Sequence, residues 1–134
     1  MIKVKFFKID VPLNWNQVQV KISQYVEINY DINSNQALVA MKKRERIGSV
    51  KIDECLYLPH IETNYKCEGI LLVHFLDEFK TNKQALVLIM NKNYKSKYFI
   101  EKLQNIFSKL DRLSSCKNLL DFINLMGGVD DAKE

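Results

Sequence analysis

The sequence predicts an α/β fold: a three-layer domain in which a mixed β-sheet is covered by helices on both faces. Three observations carry this. Two near-continuous apolar runs of strand length, Gly69–Leu76 and Ala85–Met90, suit central strands with helices above and below them. Amphipathic helical patterns flank these runs in sequence. The 134 residues, 47% hydrophobic and 27% charged, are enough for one core and too few for two. The expected order is β-α-α-β-β-β-β-α-α.

Ile2–Ile9 alternates apolar residues with lysines, apart from Phe6-Phe7, and reads as a half-buried strand that Pro12 and Asn14 break. Asn14 followed by Gln17 is a capping-box pattern, and Trp15, Val18, Ile22 and Tyr25 or Val26 recur at helical spacing over 15–28. A second helix starts near Asn33-Ser34, turns Ala37, Leu38 and Met41 inward, and ends around Arg46 before Gly48. Short strands are expected at Ser49–Ile52 and Leu56–Leu58, with Pro59 stopping the second. After the two long strands, Lys97–Leu110 places Ile100, Leu103, Ile106, Phe107 and Leu110 on one helical face. Ser115 is the expected cap of a last helix containing Leu119 to Met126, which Gly127-Gly128 ends. The domain is expected to span 1–128, with 129–134 a frayed tail.

Several function classes are excluded. No run approaches the roughly 18 apolar residues of a membrane span, so no membrane insertion is expected, and the start Met1-Ile-Lys-Val-Lys-Phe-Phe-Lys is no signal peptide. Three cysteines without CxxC spacing argue against a disulfide scaffold or zinc site and for a reducing cytoplasm. Phosphate-cradling glycine motifs and histidine pairs at metal-ligand spacing are absent, so neither cofactor nor metal is expected. The net charge of +4 rests on lysine, with arginine only at positions 44, 46 and 112, a thin supply for direct nucleic-acid recognition. Charge is uneven: six acids and one base lie between Asp53 and Glu78, seven bases and two acids between Asn91 and Lys117. The plain reading is two solvated faces.

Two histidines remain. His74, inside Leu71-Leu-Val-His-Phe75, reads as a structural histidine hydrogen-bonded near the sheet. His60 follows Pro59 where the chain is expected to turn at a strand end; by composition alone it is a surface histidine.

The residues around His60 form a block: Arg44-Glu45, then Gly48-Ser49, a short apolar strand, and Leu58-Pro59-His60. This block resembles the signature of the fructose/mannitol-type EIIA domains of the bacterial phosphotransferase system, and the order of elements agrees with it over about residues 1–127. The resemblance implies that His60 accepts a phosphoryl group and that Arg44 stabilises its charge. Ser49 and nearby backbone N–H groups would add donors, and Glu45 would orient Arg44 or cap the helix end. It also implies HPr as donor and an EIIB domain as acceptor in sugar uptake, with Glu62, Asp77 and Glu78 as docking acids for a basic HPr surface.

The chain departs from the family pattern at Val50, where threonine is usual, at Asp53, Cys55 and Tyr57, where glycine or alanine is usual, and at Lys97-Tyr-Phe-Ile100, where a second histidine is common. Two alternatives therefore stand beside transport. One is a phosphorylation-controlled regulatory domain of a transcriptional antiterminator or activator, with regulator domains in the same full-length chain. The other is an interaction domain without phosphorylation.

Overall fold

The computed structural model describes residues 2–127; Gly128 and the expected tail 129–134 lie outside the described residues. The chain folds as β1 (Ile2–Pro12), α1 (Trp15–Tyr30), α2 (Ser34–Ile47), β2 (Leu56–Tyr57), β3 (His60–Thr63), β4 (Glu68–Leu76), β5 (Asn82–Asn91), α3 (Lys97–Phe107), a 3-10 helix (Leu110–Ser115) and α4 (Leu119–Leu125). The sheet is mixed: β1 runs parallel to β4, β4 antiparallel to β5, and both β2 and β3 parallel to β5.

The central strands explain the apolar runs. Leu71, Val73 and Phe75 of β4 point into the core under α1 and α2. Ile70 and Leu72 point to the opposite core, with Phe99, Ile106 and Phe122. Because successive side chains alternate faces and both faces are covered, the positions of this run other than His74 call for apolar side chains. Gly69 is the exception, and packing demands it: a Cβ there would run into the ring of Tyr30, whose hydroxyl donates to the Lys3 carbonyl at 3.1 Å.

Local signals set the helix starts. Asn14 accepts from the Gln17 N–H at 2.8 Å while the Gln17 side chain accepts from the Asn14 N–H at 2.9 Å, closing the capping box. Asn33 caps α2 through the Asn35 and Gln36 N–H groups. Ser96 caps α3, and its own N–H and hydroxyl are held by the Glu68 carboxylate at 2.7 and 2.5 Å.

Three expectations are corrected. Ser49–Ile52 is not a strand but makes one isolated bridge, Lys51 to Tyr57. The Asp53 carboxylate accepts from the N–H groups of Cys55 and Leu56 at 2.8 and 2.9 Å, which turns the chain before a second ladder can form. The helix from Lys97 ends at Phe107 rather than Leu110, and the chain continues as the 3-10 helix. Ser115 closes that 3-10 helix, so α4 is capped instead by Asn118, whose side chain accepts from the Asp121 N–H at 2.9 Å. No helix among the described residues is long and apolar enough to cross a membrane.

Candidate functional site

The site forms where the last turn of α2 meets the edge of the sheet. β2 and β3 pair with β5 in one register: Tyr57 lies opposite Ala85 and His60 opposite Leu88. They are one edge strand interrupted at Leu58-Pro59. Pro59 has no N–H to give, but its carbonyl accepts from the Leu88 N–H at 3.2 Å, so the register survives the break. His60 is therefore not on a turn, as its position after Pro59 suggests. It is the first residue of β3, held by a parallel ladder along β5.

The His60 side chain is half-buried, and neither ring nitrogen has a hydrogen-bond partner among the described residues. Its pKa lies below the ordinary histidine value. Burial is the first cause, because desolvation disfavours the charged ring, and the positive charge of Arg44 adds to it; Glu62 pulls the other way and Lys95 lowers the value further. The ring is neutral at pH 7 and keeps a free lone pair.

Arg44 lies in the last turn of α2, where a cation complements the helix dipole. One guanidinium nitrogen donates to the Gly48 carbonyl at 3.1 Å. Glu45 does not bind Arg44. Its carboxylate accepts from Trp15 Nε1 at 3.2 Å and Gln19 Nε2 at 2.7 Å, with Lys42 Nζ at 3.8 Å, and so ties α2 to α1. Trp15 in turn stacks on Tyr57 at 4.1 Å, which gives that departure from the family pattern a packing role. Ser49 is exposed, accepts from the Lys51 N–H at 3.2 Å, and does not line the cleft that holds His60.

That cleft is a groove of about 500 Å³ between α2 and β3. His60, Arg44 and Lys43 line it, as do Glu62 and, from just past β5, Lys92. Apolar wall is supplied by Val39 and Ile47, which are 65% and 80% exposed. At the end remote from Arg44 along α2, the Tyr65 hydroxyl meets Gln36 Oε1 at 3.4 Å.

The docking acids separate. Glu62 is exposed beside His60 on β3. Asp77 and Glu78 sit at the β4–β5 turn, where the Asp77 carboxylate holds the N–H groups of Phe79 and Thr81 and lies 3.8 Å from Lys83 Nζ. The ladder puts that turn six residues along β5 from the partner of His60, about 20 Å away. The expectation that all three acids flank one site is corrected to Glu62 alone.

His74 also lies outside the groove. Its Nε2 is 3.0 Å from the Leu113 carbonyl and its ring meets the Phe6 ring edge-on at 5.1 Å, a structural arrangement as expected. Sequence reasoning missed the groove cations. Lys43 was legible, since it shares a face of α2 with Ala40 and Ile47 at helical spacing. Lys92 and Lys95 were not, because only the pairing of β3 with β5 brings them to His60: the Lys92 N–H donates to the Thr63 carbonyl at 2.9 Å.

No protein-family model matches this sequence, and no curated protein sequence does. Solved structures do match. The nitrogen regulatory protein IIA-Ntr from Neisseria meningitidis is similar at TM-score 0.66 and 13% identity, over 92% of both chains. IIA mannitol from Escherichia coli is similar at TM-score 0.62 and 13% identity, over 92% of this chain and 95% of that one. The complex of enzyme IIAMtl with phosphorylated enzyme IIBMtl from the same organism matches at TM-score 0.61 and 13% identity, over 96% of this chain and all of that one. The chain has the mixed α/β fold of these phosphotransferase-system EIIA domains.

Proposed function

We propose that the chain is a phosphohistidine domain that takes a phosphoryl group from phospho-HPr on His60 and passes it to an EIIB domain. The observation that carries this is the imidazole itself: a half-buried, neutral ring with neither nitrogen partnered among the described residues, facing a groove shared with Arg44. The EIIA fold supports the reading, and one solved neighbour is in complex with a phosphorylated EIIB.

The chemistry follows from these groups. A ring-nitrogen lone pair attacks phosphorus in line; the new N–P bond forms as the donor's bond to phosphorus breaks and its electron pair leaves with the donor. The transition state spreads charge over three oxygens, so the protein's task is positioning and charge stabilisation. Arg44 supplies a planar fork of donors, one arm of which the Gly48 carbonyl already orients. Glu45 acts at one remove: by tying the end of α2 to α1 it holds the backbone that carries Arg44. Ser49 is left without a role in the transfer.

A regulatory role is the second reading, in which the phosphorylation state of His60 is itself the output. It is favoured by the groove's having one imidazole, since His74 is committed to Leu113, and by the likeness to a nitrogen regulatory protein. A cytoplasmic location fits either. Incubation with phosphoenolpyruvate, enzyme I and HPr, followed by intact-mass measurement, tests the common core: one acid-labile phosphoryl group is expected, and it should vanish in His60→Ala. Adding an EIIB domain then separates the readings, because a transport carrier loses its label rapidly and a switch domain keeps it.

A further inference from the structure

The groove beside His60 is larger than phosphoryl transfer needs. A phosphoryl group occupies a small fraction of about 500 Å³, a volume in the range of small-molecule sites. Its composition is divided. Lys43, Arg44 and Lys92 against the single carboxylate of Glu62 leave a net charge of +2 along the walls. The side-chain ammonium groups of Lys43 and Lys92 have no hydrogen bond or ion pair with any described residue, so their charges are uncommitted. The remaining wall is apolar: Val39 and Ile47 expose large faces there, and the Tyr65 ring closes one end against Gln36.

We infer that this groove binds a small phosphate monoester with an apolar or aromatic body, held without a covalent bond. A phosphate monoester carries about −1.5 to −2 at pH 7, which matches the free charge of the groove. Its oxygens meet Arg44 and the lysines, where charge-assisted hydrogen bonds are strongest. Its body lies along α2 between Ile47 and Tyr65, a span of roughly 16 Å from Gln36 to Ile47. The bound ester covers His60 and so competes with any phosphoryl donor, coupling the phosphorylation state to a metabolite.

The probe is phenyl phosphate, with inorganic phosphate and phenol as controls, titrated into the unphosphorylated protein and followed by amide and methyl NMR shifts. Saturable shifts are expected at Val39 and at one end of the groove, Ile47 or Tyr65, with each control binding at least ten-fold more weakly. Lys43→Gln and Lys92→Gln, both at exposed positions, should each weaken binding several-fold. Four outcomes overturn the inference: no saturable shift at millimolar probe; phenol binding as well as phenyl phosphate, which marks an apolar docking face for a protein; inorganic phosphate binding as well, which marks an adventitious ion only; or no effect of either lysine substitution. The titration uses no phosphoryl donor, so its failure and a failure to label His60 are read separately.

Discussion

The two histidines lie on opposite sides of one strand and differ in what their rings are allowed to do. His60 on β3 and His74 on β4 both pair with β5, opposite Leu88 and Gln84. Both are half-buried and both have depressed pKa values, with burial the first cause in each. Yet His74 is engaged by the Leu113 carbonyl and packed on Phe6, while neither nitrogen of His60 has a hydrogen-bond partner among the described residues. Ionisation does not separate them; partners do. A central strand covered on both faces must satisfy a polar ring internally, whereas an edge strand beside a groove can leave one open to a reactant. Placement in the sheet, more than the pKa, makes one imidazole structural and the other available.

The strongest way to break this contrast is to delete each ring. His60→Ala should abolish phosphorylation and leave stability nearly unchanged. His74→Ala should keep the label but cost about 1–3 kcal/mol in unfolding free energy, since the Leu113 carbonyl loses its partner. Labelling on the His60→Ala protein, measured by intact mass, would reverse the assignment.

Arg44→Gln comes next. It should slow phosphorylation ten-fold or more, equivalent to about 1.4 kcal/mol of transition-state stabilisation. The thermal midpoint should move little, because the structural bond lost is an exposed one to Gly48. A large fall in the midpoint with an unchanged rate would make Arg44 a helix-capping residue and nothing more.

The titration of each ring sharpens the comparison further. NMR should find both histidines below the ordinary histidine value of about 6.5. Arg44→Gln should raise His60 alone and Glu62→Gln should lower it; Lys8→Gln should raise His74 alone. Both rings resist protonation in the folded state, so the unfolded chain takes up protons first as pH falls. The associated stability is present above about pH 6.5 and is lost as pH drops toward the depressed folded values. A His60 value that ignores Arg44→Gln would place the guanidinium away from the ring.

The smallest effect expected concerns docking. Glu62→Gln should lower the rate of association with a basic partner by less than about two-fold at low salt, and the difference should disappear near 1 M salt, where screening is nearly complete. Asp77→Asn should leave association unchanged and instead loosen the β4–β5 turn, by about 1 kcal/mol. Stopped-flow phosphorylation across a salt series reads the first and thermal denaturation the second. A slower association in Asp77→Asn would contradict the 20 Å separation of the two ends of β5.

The sequence by itself determined what short periodicities encode. Two-fold alternation and continuous apolar runs marked β1, β4 and β5; 3.6-residue spacing marked the helices, with Asn14 and Asn33 marking the starts of two; together they fixed the layers. The Arg44-to-His60 block brought forward the imidazole and its candidate partner through its resemblance to the EIIA signature, since composition alone left His60 a surface histidine. What failed was non-local or competitive. Asp53 overrode the apolar pattern at Ser49–Ile52 by capturing two backbone N–H groups. Asn118 displaced Ser115 as a cap because the 3-10 helix consumed the residues between. Glu45 looked like a partner of its neighbour Arg44 and is held by Trp15 and Gln19, roughly thirty residues away. Only the tertiary structure decided that β3 lies along β5, and that one register did three things no local pattern specifies. It put His60 in a strand rather than a turn, drew Lys92 and Lys95 from the basic segment to its side, and sent Asp77 and Glu78 to the far end of the sheet. The reason is physical: a strand's pattern tells which face each side chain takes, but its neighbour is chosen by backbone hydrogen bonding across long stretches of chain.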